Sequence, residues 1–212
     1  MDSPGLDQIA ALSALDDPVR RRLYEHVGRS IEPVGRDAAA AAAGVTRSLA
    51  AYHLDRLAAE GLLDVAYERR SGRSGPGAGR PAKLYARAER EFSASAPPRA
   101  YGVAALLLAV AAASDPSGKT ASALRNAAVR LGRESAGEPG DVAELLTARG
   151  YEPYDDDGVL RLRNCPFHAA ARRHPEVVCD MNLALVRGLL EGRDVDAVLE
   201  PAPGRCCVAL RR

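Results

Sequence analysis

The chain has 212 residues, 29 Lys+Arg against 28 Asp+Glu, and 47% apolar residues, the make-up of a globular protein and not of a disordered one. Its longest unbroken apolar run, 103–113, is 11 residues, too short to cross a bilayer, which takes about 20. The opening Met1-Asp2-Ser3-Pro4 carries no basic segment followed by an apolar one, so a cytoplasmic location without a membrane partner is expected. In that reducing compartment the four cysteines are expected to be thiols or metal ligands. No P-loop, dinucleotide fingerprint or nucleophile–base set is present, and the chain is not expected to be an enzyme.

Leu6, Ile9 and Leu12, then Val19, Leu23 and Val27, recur at helical spacing. Asp17-Pro18 breaks the pattern, with Asp17 suited to cap a second helix and Pro18 to begin it. A short helix is predicted over 36–43, stopped by Gly44. Thr46 then caps another helix that runs to Glu60 and ends at Gly61. Two short helices joined by a Gly-containing turn form the helix-turn-helix pattern. In the second helix, Leu49, Ala50, Leu54, Leu57 and Ala58 make an apolar stripe, joined by His53 as a core histidine. Arg47, Ser48, Ala51, Tyr52, Asp55 and Arg56 fall on the opposite side.

A recognition helix offers its first residues to base edges, which selects Thr46, Arg47, Ser48, Ala51 and Tyr52, with Arg56 placed for a phosphate. Tyr52 also suits a packing role. Two predicted strands, 62–67 and 81–86, then flank a Gly-rich loop. Residues 69–90 hold seven basic side chains against one acid, a net +6. Arg70, Arg73, Arg80 and Lys83 in this hairpin are candidate phosphate contacts.

The run from Gly44 to Leu63, GVTRSLAAYHLDRLAAEGLL, with Gly79-Arg-Pro-Ala-Lys-Leu-Tyr85, resembles the winged-helix domains of ArsR-type bacterial transcriptional regulators. The resemblance spans about residues 12–88. It implies a double-stranded DNA operator as partner. The domain is taken as 1–91, with a Pro-bearing linker over 92–99 and a sensor domain over 100–212. The fold class expected is mainly α with small β elements: a winged helix-turn-helix, a helical middle and an α+β C-terminal part.

Residues 101–113 are apolar nearly all round, so this helix is expected to be buried on most sides. Residues 117–133 are more amphipathic. These middle helices are expected to pair two subunits, since a homodimer matches a two-fold symmetric operator.

A helix over 141–149 and strands over 151–154 and 159–163 come next. Pro166 then suits the first position of a helix, which would set Cys165 at a helix N-terminus where a thiolate is favoured. His174-Pro175 opens a longer helix carrying Cys179. Strands over 198–200 and 207–210 close the chain. Cys165, Cys179, Cys206 and Cys207 fall within 43 residues, spaced C-x13-C-x26-C-C, without a zinc-knuckle pair. His168 lies within a turn of Cys165. Such a set suits a soft metal or an iron–sulfur cluster, and equally suits buried apolar thiols.

Asn-Cys165-Pro-Phe, His174-Pro-Glu-Val-Val-Cys179 and Gly204-Arg-Cys-Cys-Val-Ala-Leu210 resemble the C-terminal half of SufR-like regulators, ArsR-type repressors that sense an iron–sulfur cluster. The resemblance implies that Cys165, Cys179 and one of Cys206 and Cys207 are ligands. The family's third cysteine has no counterpart here. His168, the neighbouring cysteine or an external ligand would fill its place. Adjacent strand residues point to opposite faces, so Cys206 and Cys207 would need a bulge to share a metal. The expected function is a DNA-binding regulator, a repressor, whose C-terminal part senses a cluster or a single metal such as zinc. In that reading, loss of the cluster or a change of ligand alters the spacing of two recognition helices. The alternative is a regulator that holds no metal and binds a small molecule or oxidises its thiols reversibly.

Overall fold

In a computed structural model the described residues are 4–68, 81–94, 99–136 and 140–211. They are mainly helical, with two small antiparallel sheets. The chain divides into two compact units, 1–99 and 100–212.

In the first unit, α1 (Pro4–Ala14) precedes α2 (Pro18–Arg29), and the Asp17 carboxylate accepts the backbone N–H groups of Val19 and Arg20. Of the α1 pattern, Ile9 and Leu12 stay exposed, while Ala11 and Ala14 are buried. After β1 (Val34–Gly35), six alanines build α3 (Arg36–Ala43). Gly44 stops it in the left-handed region, φ 65°, which glycine enters without a Cβ penalty. Thr46 caps α4 (Arg47–Ala59), its hydroxyl accepting from the Leu49 N–H at 3.3 Å. Strands β2 (Leu63–Glu68) and β3 (Ala82–Arg87) pair antiparallel, and β1 adds to β3, giving the order β1-β3-β2. The short β1 carries too little pattern to read from sequence.

Ala50, His53, Leu54 and Leu57 form the buried stripe of α4, packed with Leu23, Val27, Ala39, Ala43, Leu62 and Tyr85. Leu49, expected in that stripe, is 40% exposed, because it precedes Ala50 and is turned away by one helical step. His53 is buried as expected of a core residue, and its Nδ1 has no hydrogen-bond partner among the described residues. Phe92 packs against this same core and the Ser93 N–H donates to Gln8, so the start of the expected linker is fastened to the first unit.

The second unit begins with α5 (Tyr101–Ala113) and α6 (Lys119–Glu134). The expectation that α5 is buried on most sides needs correction. Only Ala109 and Ala112 are buried, and Tyr101, Val103, Leu107, Leu108 and Val110 are exposed. Its neighbours meet it along the small alanine side, which leaves the bulky apolar side chains outward.

Asp141 caps α7 (Val142–Thr147), which leads into β4 (Pro153–Asp156) and β5 (Val159–Leu162). These strands are joined by Asp157-Gly158, both at positive φ, 52° and 80°. That is a two-residue hairpin turn whose twist suits the strands, so β4 reaches further than the turn expected over 155–158. The short α8 (His168–Ala171) and the long α9 (Pro175–Leu189) follow, then β6 (Asp196–Leu199) and β7 (Val208–Arg211). The sheet order is β4-β5-β7-β6, all antiparallel, with Leu160 opposite Leu210 and Leu199 opposite Val208. Its core gathers Leu146, Tyr151, Leu162, Val186, Leu190, Ala197, Val208 and Leu210 together with the cysteines. No helix among the described residues is long and apolar enough to cross a membrane.

Candidate functional sites

The exposed side of α4 presents Arg47, Ser48, Tyr52 and Arg56 to solvent, with Thr46 just before them and Ala51 half-buried between them. The Thr46 and Ser48 hydroxyls lie 3.2 Å apart. Arg47 pairs with Asp37 at 2.7 Å and Arg56 with Glu60 at 2.7 Å. All but Glu60 in these two pairs are well exposed, so the pairs are weakly held and either guanidinium is free to exchange its partner. Tyr52 is 64% exposed and stacks edge-on against His53, so it stands clear of the core.

Behind that face lies a cluster that sequence reading missed. Asp55, expected to be a surface residue, accepts from Lys83 Nζ at 2.5 Å, the Tyr85 hydroxyl at 2.7 Å and Arg36 Nη2 at 2.8 Å. Tyr85 is fully buried, and its oxygen in turn accepts from Arg36 Nε at 3.0 Å. Partial burial works to raise the Asp55 pKa, but the bonds from Lys83, Tyr85 and Arg36 outweigh it and hold the carboxyl below its ordinary value. The cluster ties α3, α4 and β3 together. Lys83, a candidate phosphate contact, is thereby committed to Asp55. Only the residue types at 36, 55, 83 and 85 hinted at this, because their separations of 19 to 49 positions carry no periodic signal. A cleft of about 450 Å³ runs beside Arg47, between the start of α3 and the hairpin residues Tyr67, Pro81 and Lys83. Arg70, Arg73 and Arg80 lie outside the described residues.

The second site is built from the four cysteines, all of them free thiols. Cys165 lies between β5 and α8, Cys179 on the first turns of α9, and Cys206 and Cys207 on the bend before β7. That bend answers the expected difficulty with adjacent strand residues. Because β7 begins only at Val208, both side chains turn inward, leaving Cys206 4% and Cys207 9% exposed. The Cys206 N–H donates to the Leu162 carbonyl at 2.9 Å, and the Cys207 carbonyl accepts from the Glu200 N–H at 2.7 Å. Cys165 and Cys179 pack against the core that Cys206 and Cys207 enter, near enough for the thiols to act on one another's ionisation.

Two buried polar side chains reach the thiols, and neither was singled out from sequence. The Tyr151 hydroxyl donates to Asn182 Oδ1 at 2.6 Å, and Asn182 Nδ2 donates to Cys206 Sγ at 3.3 Å. Asn182 is wholly buried and Tyr151 is 2% exposed. With its oxygen held by the tyrosine, the amide offers its N–H₂ to the sulfur. Cys206 sits at the accepting centre of these bonds. The hydrogen bond from Cys165, then that from Cys207, holds its thiol well below the ordinary value, against the opposing effect of burial. The same bond to Cys206, followed by burial, pushes Cys165 up, and Cys207 is pushed up likewise.

The expected helix N-terminus at Cys165 therefore needs correction. Helix α8 starts at His168, with Phe167 in the capping position, and Cys165 owes its state to Cys206. His168 is exposed on α8, whereas the thiols are half-buried or buried. Soft sulfur donors suit a thiophilic metal or cluster in their chemistry. However, no group of three or more His, Cys, Asp and Glu side chains among the described residues stands together as a metal site. As they stand, they do not fit a three- or four-ligand centre.

Compared with known proteins, the chain matches no family model and no curated relative.

Proposed function

We propose that the protein is a sequence-specific DNA-binding transcriptional regulator, a repressor, that acts as a homodimer. The first unit is read as a winged helix-turn-helix domain, with α3 and α4 as the helix pair and β2–β3 as the wing. The observation that carries this reading is the outward face of α4, where Arg47, Ser48, Tyr52 and Arg56 are exposed on a helix seated by the Asp55 cluster. Polar and aromatic side chains on a rigid helix suit base edges, and arginines suit phosphates. The basic residues of the hairpin, Arg70, Arg73 and Arg80 among them, add to the attraction for a polyanion. The exposed apolar side of α5 supports a second copy as partner.

The second unit is proposed as the sensor, through its cysteines. The resemblance to SufR-like regulators and the sulfur donor set favour an iron–sulfur cluster, or a single metal ion such as zinc, as what is sensed. To hold it, Cys165, Cys179, Cys206 and Cys207 would have to draw together into a set that they do not form here. A second reading, reversible thiol oxidation without metal, is favoured by four free thiols gathered at one core.

Selection of bound sequences from a random duplex library tests the DNA reading. Recovery of a two-fold symmetric motif supports it, and recovery of no motif overturns it. Iron, sulfide and zinc analysis of protein purified without oxygen decides between the two sensor readings.

A further inference from the structure

We infer that the cleft between the start of α3 and the hairpin binds a phosphate group, with Arg36, Lys83 and Arg47 as its cations. The phosphate belongs either to a duplex backbone or to a free small molecule, and only the first source rests on the DNA-binding reading.

Charge carries the inference. Arg36 and Lys83 both line the cleft, and both bond to one carboxylate, Asp55, at 2.8 Å and 2.5 Å. The other partner of Arg36, Tyr85, is a neutral hydroxyl. Two cations thus share one negative charge, and one positive charge is left over beside a concave surface. Asp55 itself does not line the cleft, so its carboxylate leaves the opening to the cations. Arg36 and Lys83 are partly desolvated, with 27% and 23% of their side chains exposed, which strengthens their pull on an anion. The bond to Asp55 uses one of three ammonium hydrogens, so it fixes Lys83 without exhausting it. The remaining pair at the cleft, Arg47 with Asp37 at 2.7 Å, is neutral as a whole and exposed enough to exchange its partner.

Shape and donors agree with that charge. A cleft of about 450 Å³ lies within the size range of small-ligand sites. Residues 35–38, the first turn of α3 and its cap, form part of its lining. The leading N–H groups of a helix have no intrahelical partner, and Gly35 in the capping position brings no side chain to satisfy them. Donors therefore reach the cleft from α3, α4 and β3, that is, from several directions. A tetrahedral oxyanion accepts from all of them together, whereas a planar carboxylate meets fewer. Arginine and lysine side by side are the usual holders of phosphate.

The test uses the full chain and Ala38→Glu. Ala38 is exposed and lines the cleft. Glutamate suits the first turn of a helix, so the fold is kept while the new charge opposes an anion. Ala42→Glu makes the same charge change on the same helix, outside the cleft lining, and is the control. Inorganic phosphate is titrated into each protein, with the backbone amide NMR shifts of residues 36–38 and 83 as readout. Duplex DNA is titrated separately by fluorescence anisotropy at several salt concentrations. Ala38→Glu should weaken at least one of these by about tenfold or more relative to Ala42→Glu, since like charges brought together are strongly unfavourable. Saturable phosphate shifts at 36–38 and 83, lost in Ala38→Glu alone, support a site for free anions. A loss of duplex affinity in Ala38→Glu alone, equal for all sequences and with the log–log salt slope smaller by about 1, supports a backbone phosphate. Equal behaviour of the two variants toward both probes overturns the inference. A wild type that binds no duplex overturns the DNA-binding reading, and the phosphate titration then decides the site by itself.

Discussion

Gly132 of α6 and Gly188 of α9 meet backbone to backbone where the two helices cross. A Cβ built on Gly188 would stand 2.3 Å from the Val129 carbonyl oxygen and 3.0 Å from the Gly132 Cα. One on Gly132 would stand 2.3 Å from the Leu185 carbonyl oxygen. Neither obstacle is a movable side chain, so relief requires the helices to part. Gly188→Ala should destabilise the second unit by roughly 3 kcal/mol, the upper part of the usual range for overpacking. Gly102→Ala on α5, where a Cβ meets nothing within 4 Å, should be neutral or stabilising by up to about 1 kcal/mol. Urea unfolding of both variants checks the contrast.

Asp55 should matter to stability more than its 43% exposure suggests, because its charge answers the Arg36 and Lys83 cations beside the buried Tyr85 hydroxyl, and Asp55→Asn removes that charge. Discounted for solvent screening, Asp55→Asn should cost about 1–2 kcal/mol. The sign with pH follows from the lowered carboxyl. Its contribution is whole above the ordinary aspartate value of 3.8 and is lost as pH falls through the lower folded-state value. The stability gap between wild type and Asp55→Asn, measured by denaturation from pH 7 to pH 3, should therefore stay constant and then narrow below about pH 4.

Tyr52→Ala and Arg47→Ala remove exposed side chains of α4 and should leave thermal stability within about 0.5 kcal/mol of wild type. Affinity for the selected duplex should fall by about 1–3 kcal/mol for a lost base contact. A lost phosphate contact would instead weaken all sequences alike and reduce the salt dependence. Fluorescence anisotropy at several salt concentrations tells these outcomes apart.

On α5, Leu107 and Leu108 are 63% and 69% exposed. Replacing both with glutamate should abolish self-association while leaving the helical circular dichroism of the chain unchanged. Sedimentation equilibrium reads the first effect directly. A wild-type chain that is monomeric at all concentrations would remove the dimer.

The Tyr151–Asn182–Cys206 bonds predict that Tyr151→Phe, which deletes one oxygen, leaves the Asn182 carbonyl buried without its donor. The expected cost is about 1–3 kcal/mol by chemical denaturation. Asn182→Leu removes the amide altogether and should cost less than Asn182→Asp, which would bury a charge beside the Cys206 sulfur.

The sequence by itself determined the local elements of this protein. Asp17 and Thr46 cap their helices, Gly44 stops α3, and the Gly-rich loop and the Asp-Gly turn mark the strands on either side of them, because caps and turns act over a few neighbouring residues. It also marked Cys165, Cys179, Cys206 and Cys207 as a group through their nearness in sequence. Only the tertiary structure decided what those residues do to one another. Lys83 reads as a free cation until Asp55, 28 positions away, is seen to hold it, and Asn182 reads as an ordinary helix residue until Tyr151 and Cys206 close on it. Residues 101–113 read as buried because apolar surface avoids water, yet a pattern cannot say whether the cover comes from the same chain or from another. Long-range pairing leaves no periodic trace in sequence, and so the Asp55 cluster, the Gly132–Gly188 crossing and the Tyr151–Asn182–Cys206 bonds appear only when the chain is folded.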